Sequence, residues 1–187
     1  LYEEALNTDS LTGLGNKHFV QSRIEDIIKE RNKEDSYLGY GYVGMCDLCG
    51  FGQVNAINGK DGRAKGDAVL RQFSQIFSDK AKDLQDILNL LTDADLPVTV
   101  DVARSGGDEF HIIINGPRSL QELDIEKLIE DIILAPTKVG LKAFCYPTAD
   151  EQKAFSGVKN KVIEYPNLGI HFGGMTIKDE KNSNEIM

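Results

Sequence analysis

Two adjacent glycines between two alternating apolar runs constrain the fold of this chain more than any other feature. The glycines are Gly106 and Gly107. Apolar residues occupy every second position in the run before them, Val98, Val100 and Val102, and in the run after them, Phe110, Ile112 and Ile114. A period of two is typical of β-strands. Tight turns need positive φ angles, which glycine adopts at little cost. The sequence therefore predicts an antiparallel hairpin whose turn spans residues 104–109.

The remaining periodic segments predict helices and strands around this hairpin. Apolar residues three and four apart indicate helices, and short β-rich apolar runs indicate strands. The predicted helices are Asn16–Lys33, Gly66–Leu91 and Leu120–Ile133, the last stopped by Pro136, and the predicted strands are Tyr37–Leu48 and Leu168–Ile177. This order predicts an α+β fold, a mainly antiparallel central sheet flanked by helices.

The length predicts one domain over residues 1–187. Residues 137–165 have weak, mixed patterns and are expected to form an irregular or β-rich insertion. The chain opens without an initiator methionine or a signal peptide, so residues 1–7 are expected to end a linker from a missing N-terminal sensory or regulatory region.

The charge limits the kinds of partner. The chain has 30 acidic and 21 basic side chains and a formal net charge of −9. Such a surface is unsuited to coating a nucleic-acid polymer or an anionic membrane, but one nucleotide could still bind in a local site. The longest apolar stretch, Tyr37 to Cys46, is shorter than the roughly 20 residues of a membrane span. We expect a cytoplasmic domain, alone or as the cytoplasmic part of a larger protein.

Three cysteines, an odd number, fit a reducing compartment better than a disulfide framework. Cys46 and Cys49 form a C-x-x-C pair without a second pair. We favour small, half-buried residues at a strand end over a zinc or redox site.

Acidic residues stand where two predicted elements end. Asp47 closes the first predicted strand, and Asp108 and Glu109 lie in the hairpin turn. If that strand pairs beside the hairpin, the three carboxylates meet at one sheet edge, where a cation would relieve their repulsion. Oxygen ligands of this kind suit Mg²⁺ or Mn²⁺, and Gly106 and Gly107 would let phosphates approach the backbone. The alternative is an acidic surface turn.

A second polar cluster, residues 58–67, precedes the long helix. Asn58 and Asp67 could together recognise a guanine edge, because a carboxylate accepts hydrogen bonds from groups that adenine lacks. The alternative is a glycine-rich loop with Asp67 favoured near a helix N-terminus.

Three segments, in the same order, resemble the motifs of GGDEF domains. The first, Thr8–Lys17, is similar to the D-x-L-T-G-L-x-N-R entry motif. The second is similar to the family's metal-binding and guanine-binding segment and consists of Asp47-Leu48 with Phe51, Asn58, Gly62, Gly66 and Asp67. The third, Arg104–Phe110, is the signature motif itself. The resemblance covers roughly residues 8–116, and Leu168–Ile177 resembles a later strand of the family.

The resemblance implies a diguanylate cyclase with a nucleotide-cyclase or polymerase-palm-like βααββαβ fold. Two GTP would become cyclic di-GMP and two pyrophosphates by attack of a 3′-hydroxyl on an α-phosphate across a homodimer. The implied ligands of Mg²⁺ or Mn²⁺ are Asp47, the Leu48 carbonyl, Asp108 and Glu109. The catalytic residues would be Asp108 and Glu109, either of which could remove the hydroxyl proton.

The resemblance also implies a set of substrate contacts. Asn58 and Asp67 would read guanine, with Asn55 as the fallback for Asn58. Gly106 and Gly107 would face the phosphates. Phe51 belongs to the same substrate-binding set.

Several positions depart from the family pattern. Cys49 and Gly52 stand where the family has a second aspartate and a lysine, residues 97–100 lack the R-x-x-D product-inhibition motif, and the final basic helix is not recognisable. A second hypothesis therefore stays open, a degenerate GGDEF domain that binds GTP or a protein partner as a non-catalytic regulatory module. A third is a cyclase that makes a different dinucleotide.

Overall fold

A computed structural model describes residues 6–33, 38–52, 62–92, 97–139 and 169–177. In chain order it contains α1 (Lys17–Arg31), β1 (Leu38–Cys49), α2 (Gly62–Thr92), β2 (Thr99–Gly106), β3 (Glu109–Pro117), a 3₁₀ turn (Arg118–Glu122), α3 (Ile125–Ile129), a π-helical turn (Glu130–Leu134) and β4 (Gly169–Thr176). The mixture of helices and antiparallel strands confirms the predicted α+β class. Within these ranges no helix combines the length and the apolarity of a membrane span.

The four strands form one sheet in the order β2-β3-β1-β4, and all neighbouring strands are antiparallel. The predicted hairpin is therefore present, and β1 pairs beside it, which is the condition under which the three carboxylates meet. In this register Asp47 lies opposite Glu109 on one side and opposite His171 on the other. The ends of three strands thus meet at one edge of the sheet.

Helices cover both faces of the sheet because side chains alternate along each strand. On one face, Phe110 packs with Phe73 and Phe77 of α2, and the Phe73 and Phe110 ring centroids are 4.4 Å apart. On the other face, Ile27 of α1 packs in a smaller cluster with Ile113 of β3. The sheet is thereby packed between two apolar layers, which position the edge where β1 ends beside the hairpin turn.

The predicted helix at 120–133 was wrong in its limits. Leu120 lies in the 3₁₀ turn, and α3 begins only at Ile125, where the Asp124 side chain caps it by accepting from the Lys127 amide. Pro136 does not stop the helical path, which continues through residue 139. A proline lacks an amide and crowds the carbonyl four residues earlier. The preceding π-helical turn, in which the Ala135 amide bonds five residues back to Glu130, is the local widening that accommodates it.

Two other boundaries differ from the predictions. Strands β2 and β3 extend further than expected, so the hairpin turn consists of Gly107 and Asp108 alone. Helix α2 begins at Gly62, four residues before the predicted start at Gly66, so Asp67 lies in its second turn and is not an N-cap. Residues 137–139 are helical, and the rest of the expected 137–165 insertion lies outside the described residues, as do residues 1–5 of the expected linker.

Candidate active site

The backbone brings the four predicted metal ligands to one sheet edge. Asp47 faces Glu109 in the β1–β3 register, and the Leu48 amide donates to the Asp108 carbonyl at 3.3 Å. In an antiparallel strand the amide and carbonyl of one residue point to the same neighbour. The Leu48 carbonyl therefore lies on the side of the turn, next to Asp108. Asp47 and Asp108 are half-buried, while Glu109 is exposed.

Gly106, the last residue of β2, and Gly107, in the turn, leave open space beside the backbone. Gly106 has a φ of +146° and Gly107 a φ of +55°, and a Cβ atom added to either would meet nothing within 4 Å. Backbone conformation, not crowding, therefore requires glycine at these positions. A phosphate could approach the main chain here without a side chain in its way.

The Arg104 side chain holds the hairpin turn in place by hydrogen bonds to its backbone. Its Nε and Nη2 atoms donate to the Gly107 carbonyl at 2.9 and 2.7 Å, and its Nη1 atom donates to both carboxylate oxygens of Asp9 at 3.0 Å. The Arg104 and Asp9 side chains are 10% and 18% exposed. This ion pair, which we call the Asp9–Arg104 clamp, joins the loop at residues 8–16 to the hairpin turn.

The loop that supplies Asp9 is itself well held. The Thr12 amide and hydroxyl donate to Asp9 at 3.0 and 2.6 Å, and the Arg104 amide donates to the Gly15 carbonyl at 2.7 Å. Burial alone would raise the pKa of Asp9, but the hydrogen bonds from Thr12 and Arg104 and the Arg104 charge together lower it below its usual value. Asp9 is therefore a fixed anion that keeps Arg104 in position.

The predicted substrate-binding residues are only partly within the described ranges. Asp67 is half-buried on α2. Phe51 is half-buried and packs against the main core. Gly52, where the family has a lysine, is exposed. Asn58 and its fallback Asn55 lie outside the described residues, so the proposed guanine pair stays a prediction.

The C-x-x-C pair does not bring two sulfurs together. Residues three apart on a strand point to opposite faces. Cys46 is fully buried toward the α2 core, and burial raises the pKa of its thiol to about 12. Cys49 is half-buried on the other face, close to Asp47 and His171. The two cysteines therefore have separate roles, and sequence reasoning missed the neighbours of Cys49.

We expect the two thiols to differ sharply in reactivity. In a Cys145→Ser background, one equivalent of thiol should react rapidly with Ellman's reagent in the native protein, and the second only after denaturation. Cys49→Ser should abolish the rapid phase, because Cys46 is sealed in the core and its raised pKa disfavours the thiolate. Rapid reaction of both thiols in the native state would contradict this placement of Cys46.

Comparison with known proteins identifies the family. The sequence profile described as diguanylate cyclase, GGDEF domain, matches residues 6–139, more than half of the chain. The chain belongs to the GGDEF domain family. No curated protein matches this GGDEF domain in a whole-sequence search.

Solved structures of other GGDEF proteins share the fold. The GGDEF domain of DgcB from Caulobacter crescentus, solved in complex with c-di-GMP, is 17% identical with a TM-score of 0.59, over 97% of this chain and 83% of that chain. A longer DgcB structure, which includes its coiled coil, is 16% identical with a TM-score of 0.60. That match covers 100% of this chain and 77% of the DgcB chain. Diguanylate cyclase SiaD from Pseudomonas aeruginosa, in complex with its activator SiaC, is 17% identical with a TM-score of 0.54. That match covers 98% of this chain but 55% of SiaD.

Proposed function

We propose that this GGDEF domain condenses two GTP molecules into cyclic di-GMP and two pyrophosphates. The observation that supports the proposal most is the pairing of Asp47 with Glu109 beside the open Gly106-Gly107 turn. Each 3′-hydroxyl oxygen forms a bond to the α-phosphorus of the other GTP, and each α–β phosphoanhydride bond breaks to release pyrophosphate. Membership of the family supports the same chemistry.

The donor atoms at this edge fit a hard divalent cation. Asp47, Asp108, Glu109 and the Leu48 carbonyl offer oxygen ligands, which Mg²⁺ and Mn²⁺ prefer. When bound, such a cation would stabilise developing charge and lower the pKa of the attacking hydroxyl. The Ser105 hydroxyl donates to Glu109 at 3.3 Å and helps to orient that carboxylate. Asp108 or Glu109 would accept the hydroxyl proton.

Substrate choice in this proposal depends on Asp67. Its carboxylate would accept hydrogen bonds from guanine N1–H and the 2-amino group, with Asn58 contacting the same base. Adenine offers neither donor, so a half-buried Asp67 would be left without a partner when ATP is bound. The open backbone at Gly106 and Gly107 would lie against the phosphates.

Two copies of the chain are needed for one turnover. Each protomer would hold one GTP at its sheet edge, and the two edges would face each other in a homodimer. GTP is available in the cytoplasm, which is where we expect the domain to act.

A non-catalytic regulatory module is the second candidate. Cys49 and Gly52 replace the aspartate and lysine of the family pattern, and Gly52 is exposed without a side chain that could reach a phosphate. Such a domain would bind GTP or a protein partner without turning it over.

The test is a product assay on the full chain with GTP and Mg²⁺, followed by chromatographic separation. We expect cyclic di-GMP and two equivalents of pyrophosphate, no cyclic product from ATP alone, and no product from GTP in the presence of a chelator. Absence of product, together with a rise in the melting temperature on adding GTP, would reject the cyclase and favour the binding module.

A further inference from the structure

Three side chains of different chemistry lie close together where the C-terminal end of β1 pairs with the N-terminal end of β4. One ligand atom each from Asp47, Cys49 and His171 lies within 4.8 Å of the other two. Asp47 and Cys49 are two residues apart on β1 and so share a face. His171 is the direct partner of Asp47 on β4 and therefore projects to that face as well.

The spacing fits a small tetrahedral metal ion. Zinc binds cysteine sulfur at about 2.3 Å and histidine nitrogen or carboxylate oxygen at about 2.0–2.2 Å, so tetrahedral ligand atoms lie roughly 3.3–3.8 Å apart. The observed separations of at most 4.8 Å exceed this range by only about 1 Å. Asp47 and Cys49 are half-buried and His171 is exposed, which leaves a path for the ion and a fourth position for water.

The donor set distinguishes this cluster from the oxygen site at the hairpin turn. A thiolate and an imidazole are ligands that Zn²⁺ prefers and Mg²⁺ does not. Cys46 cannot contribute, because it is buried on the opposite face of β1. The preference of this cluster for a softer metal ion therefore comes from two of its ligands, Cys49 and His171. Cys49 stands at the position of the family's second aspartate.

We propose that Asp47, Cys49 and His171 form a binding site for a thiophilic divalent cation such as Zn²⁺. The site shares Asp47 with the oxygen ligands assigned above to Mg²⁺. A zinc ion held on Asp47 would neutralise that carboxylate and repel a second cation beside it, so occupation by zinc would weaken magnesium binding. On the basis of the proposed cyclase function, micromolar zinc would inhibit the reaction in competition with magnesium.

The binding test uses Co²⁺ as a spectroscopic substitute for zinc, with no nucleotide present. The full chain should bind one Co²⁺ with a near-ultraviolet sulfur-to-metal charge-transfer band, and Zn²⁺ should displace it. Cys49→Ser should remove the band. His171→Ala should weaken zinc binding by at least about 10–100-fold, since even changes to outer-shell partners of metal ligands cost that much.

Matched variants make the outcome decisive. Cys46→Ala and Cys145→Ser should keep the band, and His18→Ala, which removes another exposed histidine, should keep the zinc affinity. Retention of the band in Cys49→Ser, or equal losses in His18→Ala and His171→Ala, would overturn the site.

Activity assays separate this proposal from the proposed function. If the chain makes no cyclic di-GMP yet shows the cobalt band, the metal site stands and the cyclase proposal fails. If it is active, Cys49→Ser should retain activity and lose most of the zinc inhibition. Equal zinc inhibition of Cys49→Ser and the unmodified chain would overturn competition at Asp47.

Discussion

Glu109→Gln should lower the rate of cyclic di-GMP formation by at least about 100-fold, the loss expected when one preorganised electrostatic group is removed from an active site. Glutamine keeps the shape of the side chain but lacks the negative charge that would hold a cation opposite Asp47. Glu109 is exposed, so the free energy of unfolding should change by no more than about 0.5 kcal/mol. Initial rates at saturating GTP and Mg²⁺, with melting curves of both proteins, measure the two effects.

The matched control is Glu122→Gln. Glu122 is also exposed and follows the other end of β3, in the 3₁₀ turn, so the substitution changes the net charge equally but away from the turn. Its rate should match that of the unmodified chain. Full activity in Glu109→Gln would exclude Glu109 from the catalytic residues, and loss of activity in Asp108→Ala alone would then assign the role to Asp108.

The part of the site built by the hairpin could be predicted from the sequence. Apolar residues at every second position favour an extended conformation in both runs, and the glycine pair between them fixes where the chain reverses. Once β1 is placed beside the hairpin, Asp47 must end near Asp108 and Glu109. Local pattern and global fold agree here, so short-range reasoning was sufficient.

Contacts between distant segments could not be predicted in the same way. Asp9 and Arg104 are 95 residues apart, and the local sequence around either residue does not predict that the other is its partner. His171 meets Asp47 only because β4 pairs with β1 in one particular register. The C-x-x-C spacing drew attention to Cys46 as the partner of Cys49, although the alternation of a strand already places the two sulfurs on opposite faces.

The boundaries around Pro136 failed for a related reason. A proline inside a helical pattern usually ends the helix, so the local sequence predicts a stop before Pro136. The Thr137 hydroxyl donates to the Ile133 carbonyl, and Ile133 and Leu134 are fully buried. Tertiary packing of these residues against the main core outweighs the local cost of the proline.

Asp9→Ala should destabilise the domain by about 2–3 kcal/mol, because it leaves the mostly buried Arg104 guanidinium without its anion and removes the acceptor of the Thr12 hydrogen bonds. For a domain of this length the melting temperature should fall by roughly 5–10 °C. Arg104 also fixes the Gly107 carbonyl, so activity should fall further than the folded fraction alone explains. Urea denaturation and rates measured well below the melting temperature separate the two losses.

The clamp can be isolated by a double-mutant cycle and by pH. The Asp9→Ala, Arg104→Met double variant should lose less free energy of unfolding than the sum of the two single variants, since removing both charges leaves neither unpaired.

The folded-state pKa of Asp9 is lowered, so its contribution to stability is complete above the unfolded pKa of about 3.9 and is lost as the pH falls through the folded value. The loss of stability between about pH 5 and pH 3 should therefore be smaller in Asp9→Asn than in the exposed control Asp86→Asn. Additive losses in the cycle, together with identical acid profiles for the two asparagine variants, would show that the ion pair does not hold the turn.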